Sequence, residues 1–133
     1  SVDLEGQLNT ISCKDEIIFT GRVPSELLTP IIASSSALLY VSYFEGFGIP
    51  ILEGMKCGVP VVTSIVTSMP EVAGDAAILV DPFSVESIAQ GMENVLDENL
   101  TKQLIVKGHQ RVKEFNWDNS ADALWKVVEK TLS

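Results

Sequence analysis

Three near-continuous apolar runs of strand length constrain this chain most: "ALLYVS" (37–42), "VPVVTS" (59–64) and "AAILVD" (76–81). A strand with one wet face alternates apolar and polar residues. Runs without alternation fit strands covered on both faces, as in a parallel sheet flanked by helices. A fourth run, "EIIFTG" (16–21), ends in glycine and reads as a further strand.

Helical segments separate or follow these runs. "PSELLTPIIAS" (24–34) opens with a proline and a serine, and Pro30 is expected to bend or interrupt it. "IPILEGMKCGVP" puts Pro50 at the first helical position, Gly58 just past the end and Pro60 beyond. In "SVESIAQGMENVLDE" (84–98), Val85, Ile88, Ala89, Met92, Val95 and Leu96 follow the three-four spacing of a half-buried helix. "LTKQLIVKGHQRVKEF" (100–115) and "DNSADALWKVVEKTLS" (118–133) are further helices. The alternation predicts one α/β domain over residues 1–133, a Rossmann-like three-layer α/β/α fold with a mostly parallel sheet.

Composition narrows the function. A hydrophobic content of 46% is enough for a core. The net charge of −9 argues against nucleic acid or an anionic membrane as a partner held by bulk charge. It leaves room for a small anion held by backbone amides. No apolar run approaches the roughly 20 residues of a bilayer span. Residues 1–10 lack the basic start and apolar middle of an export signal, so a cytoplasmic setting is the expectation. Cys13 and Cys57 form no CxxC pair and read as buried small hydrophobes in a reducing compartment. His109, the one histidine, lies in "KGHQR" on an expected solvated helix face. Little material remains for a metal site or a catalytic triad.

The segment "SYFEGFGIPILEGM" (42–55) follows the "ALLYVS" strand and opens a helix. In open α/β sheets, ligands bind beyond the carboxyl ends of the strands. A helix start there offers free N–H groups and the positive end of the helix dipole to a phosphate. Gly46 and Gly48 let a ligand approach the backbone. Carboxylates repel phosphate but accept hydrogen bonds from hydroxyls. Glu53, expected in the first helical turn, can hold a vicinal diol on one side of the phosphate site, and Glu45 can meet hydroxyls on the other. The implied ligand is a diphosphate between two polyhydroxyl groups, as in a nucleoside diphosphate sugar. Taken singly, each residue has an ordinary reading: Glu53 as a helix-start carboxylate, Glu45 as a solvated loop residue, Phe47 as core. The joint arrangement favours the ligand site. No GxxxxGK[ST] loop is present, and Ile51 stands where a dinucleotide fingerprint needs its third glycine.

At these residues the chain resembles the retaining, nucleotide-sugar-dependent glycosyltransferases of GT-B architecture, group 1 type, which are rich in mannosyl- and glucosyltransferases. "EGFGIPILE" matches their E-x7-E motif, and the likeness extends through "GMKCGVPVVTS", "MPEVAGDAAILVDP" and "FSVESIAQGMENVLDE", and upstream to "IIFTGRVPSELL". The resemblance implies transfer of a sugar to a glycan or lipid-linked acceptor in polysaccharide biosynthesis. Glu45 would lie near the donor sugar as the candidate catalytic residue. Gly46, Phe47, Gly48 and Ile49 would present backbone to sugar and diphosphate. Glu53 would bind the ribose, Gly21, Arg22 and Val23 would border the base, and Ser64 and the Thr67–Glu71 loop would edge the donor pocket, with Pro70 and Glu71 structural. No cofactor or metal is implied. The resemblance would place the parent enzyme at the periphery of a membrane through its acceptor-binding part.

The chain also departs from the family pattern. Gly54 stands where alanine is usual. The first strand of the family's donor domain, a loop with a basic pair and the following strand have no counterpart here, and neither has the acceptor domain. The resemblance therefore implies a C-terminal, donor-binding part of a larger enzyme that transfers no sugar alone. Loss of mid-sheet strands would leave edges uncovered and favour self-association. Other readings of the same fold are a sugar-nucleotide epimerase, a glycan phosphorylase, or a part that only binds nucleotide or only assembles.

Overall fold

A computed structural model describes residues 4–132. In chain order the elements are α1 (Leu4–Leu8), a 3-10 turn (Lys14–Glu16), α2 (Ser25–Ala33), β1 (Leu38–Tyr40), α3 (Ile49–Lys56), β2 (Val61–Ser64), α4 (Met69–Ala73), β3 (Ile78–Val80), α5 (Val85–Asn94), α6 (Glu98–Val112) and α7 (Trp117–Leu132). The strands pair in parallel in the order β1-β2-β3, with Leu38, Leu39 and Tyr40 beside Val61, Val62 and Thr63, and Val62, Thr63 and Ser64 beside Ile78, Leu79 and Val80.

The three apolar runs thus become the sheet. β2 lies in its middle, and all four of its residues are fully buried. Strand alternation sends Val61 to one face, against Ile51 and Met55 of α3 and Met69 and Val72 of α4. Val62 faces the other side, with Val80, Val95 and Ile88. α5 covers β3, and α6 packs outside α3. The result is the expected three-layer α/β/α arrangement. Each such aliphatic side chain, fully buried, contributes roughly 1.5–3 kcal/mol.

Local signals set the helix ends. Ser84 caps α5 by accepting the N–H of Ser87 at 3.1 Å. Asp97 caps α6 by accepting from Asn99 and Leu100 at 2.8 and 2.9 Å. This cap divides the expected 84–98 helix from its successor, because a residue that accepts its followers' amides adopts extended backbone and starts a new helix.

Several expectations need correction. Residues 16–21 form no strand: Lys14–Glu16 is a 3-10 turn and the next residues carry no ladder. A strand needs a partner, and no described strand lies beside this run. α2 runs through Pro30 without interruption. The proline removes one N–H, and both Pro30 and Glu26, whose carbonyl loses that bond, are exposed to water. Cys13 is exposed and Cys57 half-buried, so the cysteines are not core hydrophobes. α4 carried too few residues for a helical period. α7 buries none of its residues, leaving Trp117, Leu124, Trp125 and Leu132 exposed.

Candidate functional site

The carboxyl ends of all three parallel strands open on one edge, and the loop from Val41 to Gly48 leaves β1 there. Gly48 ends the loop in the left-handed region, with φ 103° and ψ 51°. A Cβ at this position would also come within 3.0 Å of the Ile51 Cδ1, so both backbone and space ask for glycine. Ile51, the residue in place of a third fingerprint glycine, is fully buried beneath the loop.

No side chain caps the start of α3. Pro50 has no N–H to offer, and the Ile51 amide is taken by the Gly48 carbonyl at 3.0 Å. Among the described residues, the amides of Gly46, Phe47, Gly48 and Ile49 have no protein acceptor. These free donors are the loop and first-helix residues singled out in the sequence. The open amides therefore lie mostly before the helix rather than along its first turn.

Glu45 is half-buried and is tethered through its backbone and one carboxylate oxygen. Its N–H donates to Thr67 Oγ1 at 3.3 Å, and its carbonyl accepts from Ser68 Oγ at 2.9 Å. The Ser68 hydroxyl also reaches the Phe47 carbonyl at 3.0 Å. The carboxylate Oε1 accepts from the Tyr40 hydroxyl at 2.6 Å and from Ser42 Oγ at 3.2 Å. A solvated loop carboxylate would not be held at both backbone and side chain. The bond to Glu45 raises the Tyr40 pKa above its ordinary value, with desolvation adding to the shift. Thr67, which faces this loop, has φ 57°, an uncommon conformation for a β-branched residue.

Ser64 is fully buried at the end of β2, and its hydroxyl donates to the Ser42 carbonyl at 2.6 Å. It ties two strand ends together behind the loop. Glu53 is half-buried in α3. It lies beyond the first turn, where no acidic residue stands, which corrects the first-turn placement and weakens its reading as a dipole partner. Gly21 (φ 60°) and Arg22 are exposed and Val23 is half-buried, just before α2. Among the described residues no hydrogen bond joins them to the Glu45 loop.

Residues unflagged by the sequence complete the site. Phe115, after α6, meets Phe47 edge-on. Arg111 donates through Nε to the Val72 carbonyl at 3.1 Å and through its other nitrogens to the Glu71 carbonyl and Glu114. A cleft of about 320 Å³ opens between Gly46, Phe47 and Ser68 on one side and Arg111 and Phe115 on the other. Tyr40 carried a readable signal, a polar tip at the end of an apolar strand. Arg111 carried none, since its partners lie in a distant part of the chain. Among the described residues no three His, Cys, Asp or Glu side chains gather as a metal site, and no helix is long and apolar enough to cross a membrane.

The family profile described as "Glycosyl transferases group 1" matches residues 3–128. The chain belongs to this family. Among group 1 relatives, O-antigen chain mannosyltransferase B of Escherichia coli is 43% identical over 104 residues, covering 77% of this chain and 27% of its own length. The MMP alpha-(1->4)-mannosyltransferase of Mycolicibacterium hassiacum is 29% identical, over 92% of this chain and 31% of its own. This group 1 chain thus spans about a quarter to a third of the length of these relatives. Sucrose-phosphate synthase from Thermosynechococcus elongatus superposes with a TM-score of 0.83 at 26% identity, over 97% of this chain and 33% of that one. WaaG, a glycosyltransferase involved in lipopolysaccharide biosynthesis, shares the fold with a TM-score of 0.71 at 22% identity, over 90% of this chain and 34% of its own.

Proposed function

We propose that this chain is the donor-binding part of a retaining hexosyl- or mannosyltransferase. The parent enzyme moves a sugar from a nucleotide-sugar donor to a glycan or lipid-linked acceptor, with Glu45 and Glu53 as its E-x7-E pair. The observation that carries the reading is the row of free amides from Gly46 to Ile49, set directly beside a tethered Glu45. Free amides at a strand-to-helix turn suit a diphosphate. A fixed carboxylate suits sugar hydroxyls or the charge that develops at the transferring carbon. Glu53 then takes the ribose hydroxyls, and Gly21, Arg22 and Val23 border the base. Ser64, with its hydroxyl committed to Ser42, shapes the pocket from behind.

The family membership and the mannosyltransferase relatives support this activity. The relatives' greater length supports a parent with an acceptor domain and further donor-domain strands. In this reading the chain binds donor without transferring sugar alone.

Calorimetric titration with UDP, GDP, ADP and their sugar conjugates tests the proposal, with Glu53→Ala alongside. Selective binding of one nucleotide, weakened roughly tenfold or more by loss of the ribose hydrogen bonds, is the expected result. Equal binding by wild type and variant would remove Glu53 from the site. Turnover by the isolated chain would overturn its assignment as a part inactive alone.

A further inference from the structure

Glu45 Oε1 accepts two hydroxyl hydrogen bonds, whereas Oε2 has no protein donor among the described residues. We infer that Tyr40 is a positioning residue for donor-sugar recognition: with Ser42 it occupies Oε1 and presents Oε2 of Glu45 to the sugar. The inference rests on the donor-site reading above and deepens it.

The geometry supports a built arrangement. A carboxylate oxygen has two lone-pair sites, and here the two hydroxyls fill both on Oε1. The 2.6 Å bond from Tyr40 is at the short end for a hydroxyl on a charged acceptor. Tyr40 itself is fixed, because it ends β1, pairs with Thr63 in the sheet, and its carbonyl accepts from Thr63 Oγ1 at 2.8 Å. A group carried on a strand is placed more closely than one carried on a loop. Phenylalanine would fill the same half-buried place in the strand. The hydroxyl that phenylalanine lacks is the group that donates to Glu45. Thr67 and Ser68 hold the Glu45 backbone, so the carboxylate has little freedom left.

The test uses the full-length enzyme that carries this chain. Wild type, Tyr40→Phe, Glu45→Gln and the double variant are titrated with GDP and GDP-mannose, and with UDP and UDP-glucose. The quantity read is the ratio of affinities for the sugar conjugate and the free nucleotide. Tyr40→Phe is expected to lower that ratio roughly five- to tenfold, the scale of one hydrogen bond to a charged group, with free-nucleotide affinity within about twofold. In the Glu45→Gln background the same change should add little. Parallel loss of both affinities, or full additivity with Glu45→Gln, overturns the inference and assigns Tyr40 a structural role. Nucleotide binding with an unmoved ratio also overturns it while leaving the donor site in place. Failure of wild type to bind any nucleotide overturns both readings. Ser42→Ala, which removes the second Oε1 donor, gives the same readout if Tyr40→Phe does not fold.

Discussion

Phe47 meets Phe115 edge-on, with ring centroids 5.6 Å apart and planes inclined at 82°. The loop after β1 therefore leans on a residue beyond the end of α6, and Arg111 sits 4.8 Å above the Phe115 ring from the same helix. Phe115→Leu keeps apolar bulk and loses the aromatic edge. It should cost about 1 kcal/mol and speed amide exchange at Phe47 and Gly48. Urea denaturation with hydrogen exchange reads both, and unchanged exchange in the loop would separate Phe115 from the site.

Arg111 closes α4, a helix of 5 residues, by donating to the carbonyls of Glu71 and Val72. A cation at a helix carboxyl end is favoured by the dipole and satisfies orphan carbonyls. Arg111→Met should destabilise the fold by about 2 kcal/mol. Arg111→Lys should recover less than half of that, because one ammonium cannot reproduce the guanidinium fork. Full recovery in lysine's denaturation midpoint would reduce the interaction to charge alone.

The outer side of β1 has no partner strand among the described residues, and Ile18 and Phe19, ahead of α2, are 83% and 66% exposed. An open edge and exposed apolar side chains both favour association. The isolated chain should grow in apparent mass with concentration in light scattering, and Phe19→Lys should reduce the growth. A monomer at every concentration would refute the expectation.

The Tyr40 phenol should give stability a defined alkaline dependence. Its folded pKa is raised above the ordinary value by the bond to Glu45. A raised pKa means that the folded state prefers the neutral phenol. The contribution is therefore complete below the unfolded value of about 10 and is lost as pH rises through the higher folded value. The stability difference between wild type and Tyr40→Phe should be flat through neutral pH and shrink above about pH 10. A difference that stays constant into strong alkali would show that the hydroxyl is not linked to folding.

The sheet was legible because its signal is local. β1, β2 and β3 appear within the apolar runs, but burial on both faces holds fully for β2 alone, since Leu39 in β1 is exposed. The same signal misled at residues 16–21, because a run records what a strand would bury and not whether a neighbour supplies its ladder. Glu45, Gly46, Phe47, Gly48 and Ile49 were visible as one loop through glycine chemistry and a helix start. Of the groups that hold that loop, the family resemblance pointed to the Thr67–Glu71 segment, and the residues themselves gave no sign of their contacts. Thr67 and Ser68 reach it across more than 20 positions of sequence, and Arg111 meets Glu71 across 40. Such contacts exist only once the layers have packed. Glu53 was expected in the first turn because the sequence starts the helix at Pro50; α3 begins one residue earlier, at Ile49, which makes Glu53 its fifth residue.

Gly54 brings α3 unusually close to the sheet. A Cβ there would lie 2.8 Å from the Leu38 Cδ2 and 2.9 Å from the Val61 Cγ2. Alanine in place of Gly54 would push the helix outward or force those side chains aside. For anyone building chimeras, this makes the helix and its two strands one exchangeable cassette. A loop transplanted from a protein with alanine at this position would arrive seated on a differently spaced floor. Exchanging the segment from Leu38 through Ser64 as a unit avoids that mismatch.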